Sequence, residues 1–323
     1  MANYPAAMAA GTLLCFALYA ARLRREGGRL TGALITLPVA AVLGLVCAKL
    51  GFVLLQPLNE LEYYGISAFW RVSEDAFSFV FGAMGVCLGV GLCARWTGLS
   101  LGDALDAFAP AGALLTAVFR LGEGFLGSLG LGGRADPDSP LAVFPFAVVF
   151  DAGNGRLRTQ WAVYLWATAI AAIVALIFLV SKKSLPGLMF QKTAFALALP
   201  QIMLESLRTK CIKWGFVRAE QVVCALIILA LVVWVCVRTP VRLPVPRRFW
   251  PVAGLFGCAG IIIAVEFVIG KPTLVPFEVP LLANYGLMAL ALAGMALLYW
   301  YCLRRQREAI LPWQMEKDGV RAD

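Results

Sequence analysis

Apolar residues fall along most of this chain in runs of about 18 or more, the length a helix needs to cross a hydrocarbon core. The runs lie near residues 3–21, 32–55, 76–94, 104–119, 160–180, 185–204, 219–237, 251–270 and 282–302, with short charged gaps between them. The pattern predicts an all-α, polytopic integral membrane protein with about nine transmembrane helices. The run at 104–119 is short, so a span that is tilted, broken or partly re-entrant is expected there. The first run lacks the polar n-region and small-residue cut site of a cleaved signal peptide, so it is expected to stay as a span. Composition adds that hydrophobic residues make up 61% of 323 and charged residues 15%. With a mean hydropathy of +0.82, the chain lies outside the range of soluble globular domains.

The formal net charge is +9, and its placement matters more than its size. Basic residues cluster at Arg22, Arg24, Arg25 and Arg29, at Lys182 and Lys183, at Arg238, Arg242, Arg247 and Arg248, and at Arg304, Arg305 and Arg307. If the spans alternate, all four clusters share one side. The positive-inside rule makes that side cytoplasmic, with the N-terminus outside and the C-terminus inside. The basic residues therefore report topology, and with no aromatic-interleaved basic patch a nucleic-acid partner is not expected. The opposite side carries PLNELEYYGISAFWRVSED at 57–75, which reads as an interfacial segment. It also carries GRADPDSP and the apolar PLAVFPFAVVFDAGNGR within 128–158, and ESLRTKCIKWGFVR at 205–218. The last is strongly basic for an outside loop, so its charges are expected to do more than set topology.

Candidate chemistry centres on DALDAFAPAGALLTAVFRLGEGFLG, residues 103–127, where an apolar run delivers Arg120 into a segment with glycines at 122, 124 and 127. A guanidinium at the edge of hydrocarbon is costly unless an anion meets it, and a phosphate fits its planar fork of donors. The other reading is a positive end-anchor that snorkels to the interface. The chain has no histidine, which excludes a histidine base, a Ser-His-Asp triad and a histidine-bound metal. GSLGLGG at 127–133 lacks the close of a P-loop. Eight of the nine cysteines fall within spans, Cys211 alone in an outside loop. With no CxxC pair they read as packing residues, so neither a metal nor any other cofactor is expected. Lys49 and Lys192 sit in apolar runs, Pro110 and Pro200 are placed to kink their spans, and Glu266 in IIIAVEFVIG reads as an interfacial charge near an outer boundary.

Several stretches together resemble one family, the phosphatidylglycerol–prolipoprotein diacylglyceryl transferases. DAFAPAGALLTAVFRLGEGFLGS is similar to that family's D-x-x-A-P block followed by G-R-I-G-N-F-x-N-G-E, with Pro110, Arg120 and Gly122 in register. FSFVFGAMGVCLGVGLCARWTGLS, residues 77–100, resembles its S-F-H-G-G-L-x-G helix and basic turn. AKLGFVLL at 48–55 is similar to A-R-L-G-Y-V, with Lys49 at the arginine position. RTQ at 158–160 resembles H-P-T-Q, LESLR at 204–208 resembles E-F-x-R, and Gln221 sits where a later glutamine is usual. The order and spacing of these matches carry the resemblance across residues 1–237. The chain departs from the pattern at Val80 for the histidine, Glu123 for the asparagine, Ser128 for the final glutamate and Gln201 for an arginine. The family tyrosine near the first span has no clear match, although Tyr4 is nearby.

The resemblance implies a bacterial plasma-membrane protein that moves a diacylglyceryl group from phosphatidylglycerol to the lipobox cysteine thiol of a prolipoprotein. Its partners would be those two substrates and membrane lipids. Arg120, Arg208, Gly122 and Lys49 would bind phospholipid, and Glu123 or Glu205 would act as base or proton relay. The alternative is a catalytically inactive relative that binds anionic phospholipid or the lipoprotein precursor. The expected organisation is a transferase-like membrane core at 1–237, a basic cytoplasmic linker at 238–250, an additional helix pair at 251–303 and a cytoplasmic tail at 304–323. Reporter cysteines in a cysteine-poor background test the orientation. A cysteine at Ser139 is expected to react with a membrane-impermeant maleimide in intact cells, and one at Ser181 is not. Labelling at 181, or protection at 139 that persists in spheroplasts, overturns the alternation.

Overall fold

The computed structural model describes residues 4–71, 76–125, 130–136, 138–151, 157–181, 185–239, 245–270 and 280–317. Lys182, Lys183, Arg242 and Ser128 lie outside the described residues, as do the side chains of Tyr4, Arg247 and Arg248. Among the described residues the chain is mostly helical. The elements run α1 (Tyr4–Arg25), α2 (Leu30–Leu55), α3 (Pro57–Tyr64), a 3-10 turn (Gly65–Phe69), α4 (Phe79–Thr97) and α5 (Leu101–Glu123). A hairpin follows, β1 (Ala147–Asp151) and β2 (Leu157–Trp161), then α6 (Val163–Val180) and α7 (Leu188–Leu207). A second hairpin, β3 (Lys213–Trp214) and β4 (Val217–Arg218), leads to α8 (Ala219–Arg238), α9 (Val245–Gly270) and α10 (Leu281–Lys317).

Among the described residues seven helices are long and apolar enough to cross a membrane by length and composition: α2, α4, α5, α6, α8, α9 and α10. The other two expected spans coincide with α1 and α7, helices of 22 and 20 residues. α7 carries Gln191, Lys192, Gln201 and Glu205 along its length, which lowers its hydropathy. Three expectations change. The short run at 104–119 is part of one continuous 23-residue helix. Ser100 caps its N-terminus by accepting the Asp103 N–H at 3.2 Å, and Pro110 lies within it without ending it. The run at 160–180 starts as strand: β2 ends at Trp161 and the helix begins at Val163. Glu266, read as an interfacial charge, is 1% exposed and hydrogen-bonded on both oxygens.

The chain divides into two compact units, residues 1–197 with 207–212, and residues 198–206 with 213–323. In the first, α2 and α4 lie antiparallel at a separation that only glycine permits. A Cβ on Gly32 would stand 2.6 Å from the Thr97 Cα, and one on Gly89 2.6 Å from the Ala40 Cα. Added carbons on Gly44, Gly51 and Gly85 would likewise strike the facing helix. Small residues let helix backbones approach in a membrane, where dispersion rather than the hydrophobic effect holds helices together. Tyr19, Leu23, Ala33, Val90, Ala107, Phe108 and Ala111 join α1, α2, α4 and α5 in one cluster, with Tyr19 edge-on to Phe108 at 5.7 Å. A second cluster sets Ala113 of α5 against Val174 and Ala175 of α6.

A carboxylate positions the start of α7. Asp106 is buried in α5 and accepts the N–H groups of Gly187 and Phe190 at 2.8 Å each. Those donors belong to the first turn of α7, where orphan N–H groups and the helix dipole favour an anion. In the second unit, α8, α9 and α10 bury Ile228, Val232, Leu255, Ile262, Met288 and Met295. Trp250 stacks edge-on to Tyr301 at 5.2 Å, and the Cys236 and Cys302 sulfurs lie 3.9 Å apart.

The glycine seam generates a direct test. Gly89→Leu is expected to destabilise the protein by about 1–3 kcal/mol, because the facing contact is backbone and cannot yield. Gly257 has nothing within 4 Å of an added Cβ, so Gly257→Ala is expected to be neutral or slightly stabilising. Thermal unfolding in detergent checks both. Equal melting temperatures for Gly89→Leu and wild type would show that the seam does not depend on glycine.

Candidate functional site

The end of α5 brings a cation and an anion together one turn apart. Arg120 and Glu123 are spaced i, i+3 on this helix, and their Nη1 and Oε1 atoms lie 2.5 Å apart. A guanidinium in the last turn of a helix also faces the negative end of the dipole. Its second support is aromatic: the Arg120 Cζ lies 3.8 Å from the centroid of the Phe79 ring, a cation–π contact in a dry setting. Arg120 itself is 1% exposed.

A second guanidinium reaches the same carboxylate. The Arg208 Nη2 lies 3.5 Å from the Glu123 Oε1. Arg208 follows α7 immediately, and a small backbone ladder holds it there. Gly132 pairs with Arg208 as an isolated antiparallel bridge. Thr209 donates its N–H and its hydroxyl to the Leu131 carbonyl at 3.2 and 3.1 Å. On its other side the 131–135 segment pairs with β2. Gly132 donates to the Trp161 carbonyl at 2.8 Å, Trp161 to that of Gly133 at 3.1 Å, and Ala135 to that of Thr159 at 3.0 Å. Gly132 must be glycine, because an added Cβ would stand 3.0 Å from the Trp161 Cβ and 3.1 Å from the Leu207 carbonyl oxygen.

The 76–79 segment presents two phenylalanines, two residues apart, to two cations. Phe79 covers Arg120, and the Phe77 ring centroid lies 5.6 Å from the Lys49 Nζ. Phe52 covers the same ammonium at 5.3 Å. The segment is tied to α2 by the Ser78 N–H, which donates to the Ala48 carbonyl at 3.0 Å. Lys49 is buried, and its Nζ has no hydrogen-bond acceptor among the described residues.

Of the residues singled out from the sequence, the structure therefore joins Arg120, Glu123 and Arg208 in one ion-pair cluster. Gly122 is buried in the helix turn between the first two. Lys49 has its own aromatic surround on α2. Glu205 belongs to the second unit, where it is buried and accepts the Gln201 amide at 2.6 Å. Val80, at the histidine position of the resemblance, is buried in α4. Among the described residues no cluster of His, Cys, Asp or Glu has the make-up of a metal site.

Phe77, Phe79 and Arg218 escaped sequence reasoning, and Asp106 entered it only as the first residue of the D-x-x-A-P match. An aromatic in an apolar run carries no mark that a cation covers it. Asp106 did carry a signal, as a carboxylate within an apolar helix.

Chemically, the cluster gathers two guanidiniums around one carboxylate at the edge of a buried place. Such a cluster is suited to take an anion with several oxygens, because each fork has more donors than one carboxylate can fill. Removing Glu123 alone takes away the carboxylate that buried Arg120 and half-buried Arg208 share. Glu123→Ala is expected to destabilise the protein by about 1–3 kcal/mol, and Glu123→Ala with Arg120→Met to recover part of that loss. Thermal unfolding of the three proteins checks this. A Glu123→Ala protein as stable as wild type would show that the carboxylate is not the needed counter-charge.

A family model described as prolipoprotein diacylglyceryl transferase matches residues 1–237. No curated protein matches the chain.

Proposed function

Because the chain belongs to the prolipoprotein diacylglyceryl transferase family, a family of multi-pass membrane proteins, we propose that it transfers a diacylglyceryl group from phosphatidylglycerol to the lipobox cysteine thiol of a prolipoprotein. Residence in the bacterial plasma membrane, with the N-terminus outside, belongs to the same proposal. The observation that carries it is the cluster in which Arg120 and Arg208 share Glu123. The phosphodiester of the donor lipid competes with Glu123 for the two guanidiniums. In this reading Gly122, which carries no side chain, and the buried cation Lys49 also belong to the lipid site.

The reaction balances as a displacement. The cysteine thiol gives its proton to a carboxylate, and the sulfur attacks the glyceryl carbon that carries the phosphate oxygen. The C–O bond breaks as the C–S bond forms, and glycerol phosphate leaves with the electron pair. Arg120 and Arg208 neutralise the charge that grows on the leaving phosphate. Glu123, displaced from the guanidiniums by lipid phosphate, is the base in this reading, with Glu205 as the other carboxylate for that role.

Val80 favours a second reading. It is buried where family members carry histidine, and the chain has no histidine anywhere. On that reading the protein binds anionic phospholipid or lipoprotein precursor without turning it over.

One assay separates the two: purified protein, phosphatidylglycerol and a lipobox peptide, followed by mass spectrometry of the peptide. The transferase reading expects a peptide heavier by a diacylglyceryl group. No product under conditions where a histidine-bearing family member makes it would leave the binding reading. Arg120→Ala is expected to weaken phosphatidylglycerol retention about 10- to 100-fold, the loss of one charge-assisted hydrogen bond. Arg120→Lys is expected to recover only part, because the fork is lost. Glu123→Gln is expected to keep or tighten lipid binding and abolish transfer. Unchanged turnover in Glu123→Gln would make that residue a counter-charge only and pass the base role to Glu205→Gln for testing.

A further inference from the structure

We propose that Glu266, on a helix beyond the family-matched residues, is a positioning residue for the last turn of α7, the turn that carries Glu205. This rests on the transferase reading above and on a hydrogen-bond network within the second unit. Glu266 is 1% exposed in α9, and each of its oxygens has one donor. The Gln221 Nε2 donates to Oε1 at 2.8 Å, and the Arg218 Nη1 donates to Oε2 at 2.9 Å. The same two donors reach α7. Gln221 Nε2 also donates to the Ile202 carbonyl at 2.8 Å, and Arg218 Nη1 to the Ser206 hydroxyl at 3.4 Å. Gln221 is oriented by its own Oε1, which accepts the Arg218 backbone N–H at 3.3 Å.

Ile202 and Ser206 are one helical turn apart, and the neighbouring pair one residue back is Gln201 and Glu205, bonded at 2.6 Å. Glu266 thus fixes two side chains that together fix the rotation and height of the Glu205 turn. That turn needs an outside hold. Pro200 lies in α7 and has no N–H, so the helix is weakened one residue before Gln201.

A buried carboxylate is costly, and a packed apolar residue in its place is often as stable or better. Its value here is directional. Its partners sit at the N-terminus of α8, which starts at Ala219, where the dipole favours an anion. With Glu266 gone, Gln221 and Arg218 lose the acceptor that aims them. Where Glu205 takes the proton-relay role that the transferase reading allows it, a small misplacement of that group can cost the reaction about 100-fold.

The test uses the full chain with phosphatidylglycerol and a lipobox peptide. Glu266→Ala is expected to lower kcat about tenfold or more with the KM for phosphatidylglycerol unchanged. Glu266→Gln, which keeps an acceptor, is expected to recover part of kcat. Gln221→Ala is expected to match Glu266→Ala, and the double variant to be no worse than either single one. Hydrogen exchange provides a readout that needs no turnover. Peptides covering 201–208 are expected to exchange faster in Glu266→Ala, while those covering 101–123 keep wild-type rates. Full kcat in Glu266→Ala, a loss confined to KM, additive losses in the double variant, or exchange raised throughout the chain would each overturn the proposal. If wild type makes no product, the transferase reading fails and exchange at 201–208 alone decides the positioning claim. If Glu266→Ala does not fold, Glu266→Gln and Gln221→Ala carry the same comparison.

Discussion

The first unit of this protein holds two guanidiniums, buried Arg120 and half-buried Arg208, on one carboxylate, Glu123. Ions out of water are costly unless the surroundings supply compensation. The surroundings do so in several ways. The C-terminal end of α5 contributes its dipole, the Phe79 ring its negative face, and the Gly132–Arg208 bridge a backbone that holds the second arginine in reach.

That arrangement depends on close helix packing behind it. Phe79 begins α4, and α4 is held against α2 by glycines facing backbone. The Ser78 N–H of the 76–79 segment donates to the Ala48 carbonyl of α2. Lys49 and Arg120, on different helices, are therefore covered by alternate residues of a single short stretch. A change in the α2–α4 seam would move both aromatic covers at once. Packing and electrostatics are coupled here because the cations are too deep for water to do the screening.

The second unit uses a similar device with opposite sign. Glu266 brings one negative charge into a buried place, and Arg218 and Gln221 meet it with matched donors. The two donors that meet Glu266 also reach α7, through the Ile202 carbonyl and the Ser206 hydroxyl. The Arg120 cluster instead gathers two guanidiniums on one carboxylate.

Much of this was legible in the chain itself. Runs of apolar residues of spanning length dictated a polytopic helical membrane protein, because backbone polar groups in lipid must be satisfied within helices. The family match over residues 1–237 agrees with ordered motifs read by eye, and Arg120 stood out because a guanidinium beside hydrocarbon needs a partner. What no run or motif contained was the identity of that partner. Arg208 lies 85 positions from Glu123 in the sequence, and only the Leu131–Gly132 ladder brings them within 3.5 Å. The continuity of α5 through Pro110, the hairpin of β1 and β2 and the burial of Glu266 were also decided by tertiary contacts. A short apolar run has no intrinsic preference between strand and helix, and a carboxylate near a helix end is interfacial or buried according to what packs on it. Sequence alone determined which residues must avoid water and which charges would be costly; the fold decided which of those charges meet.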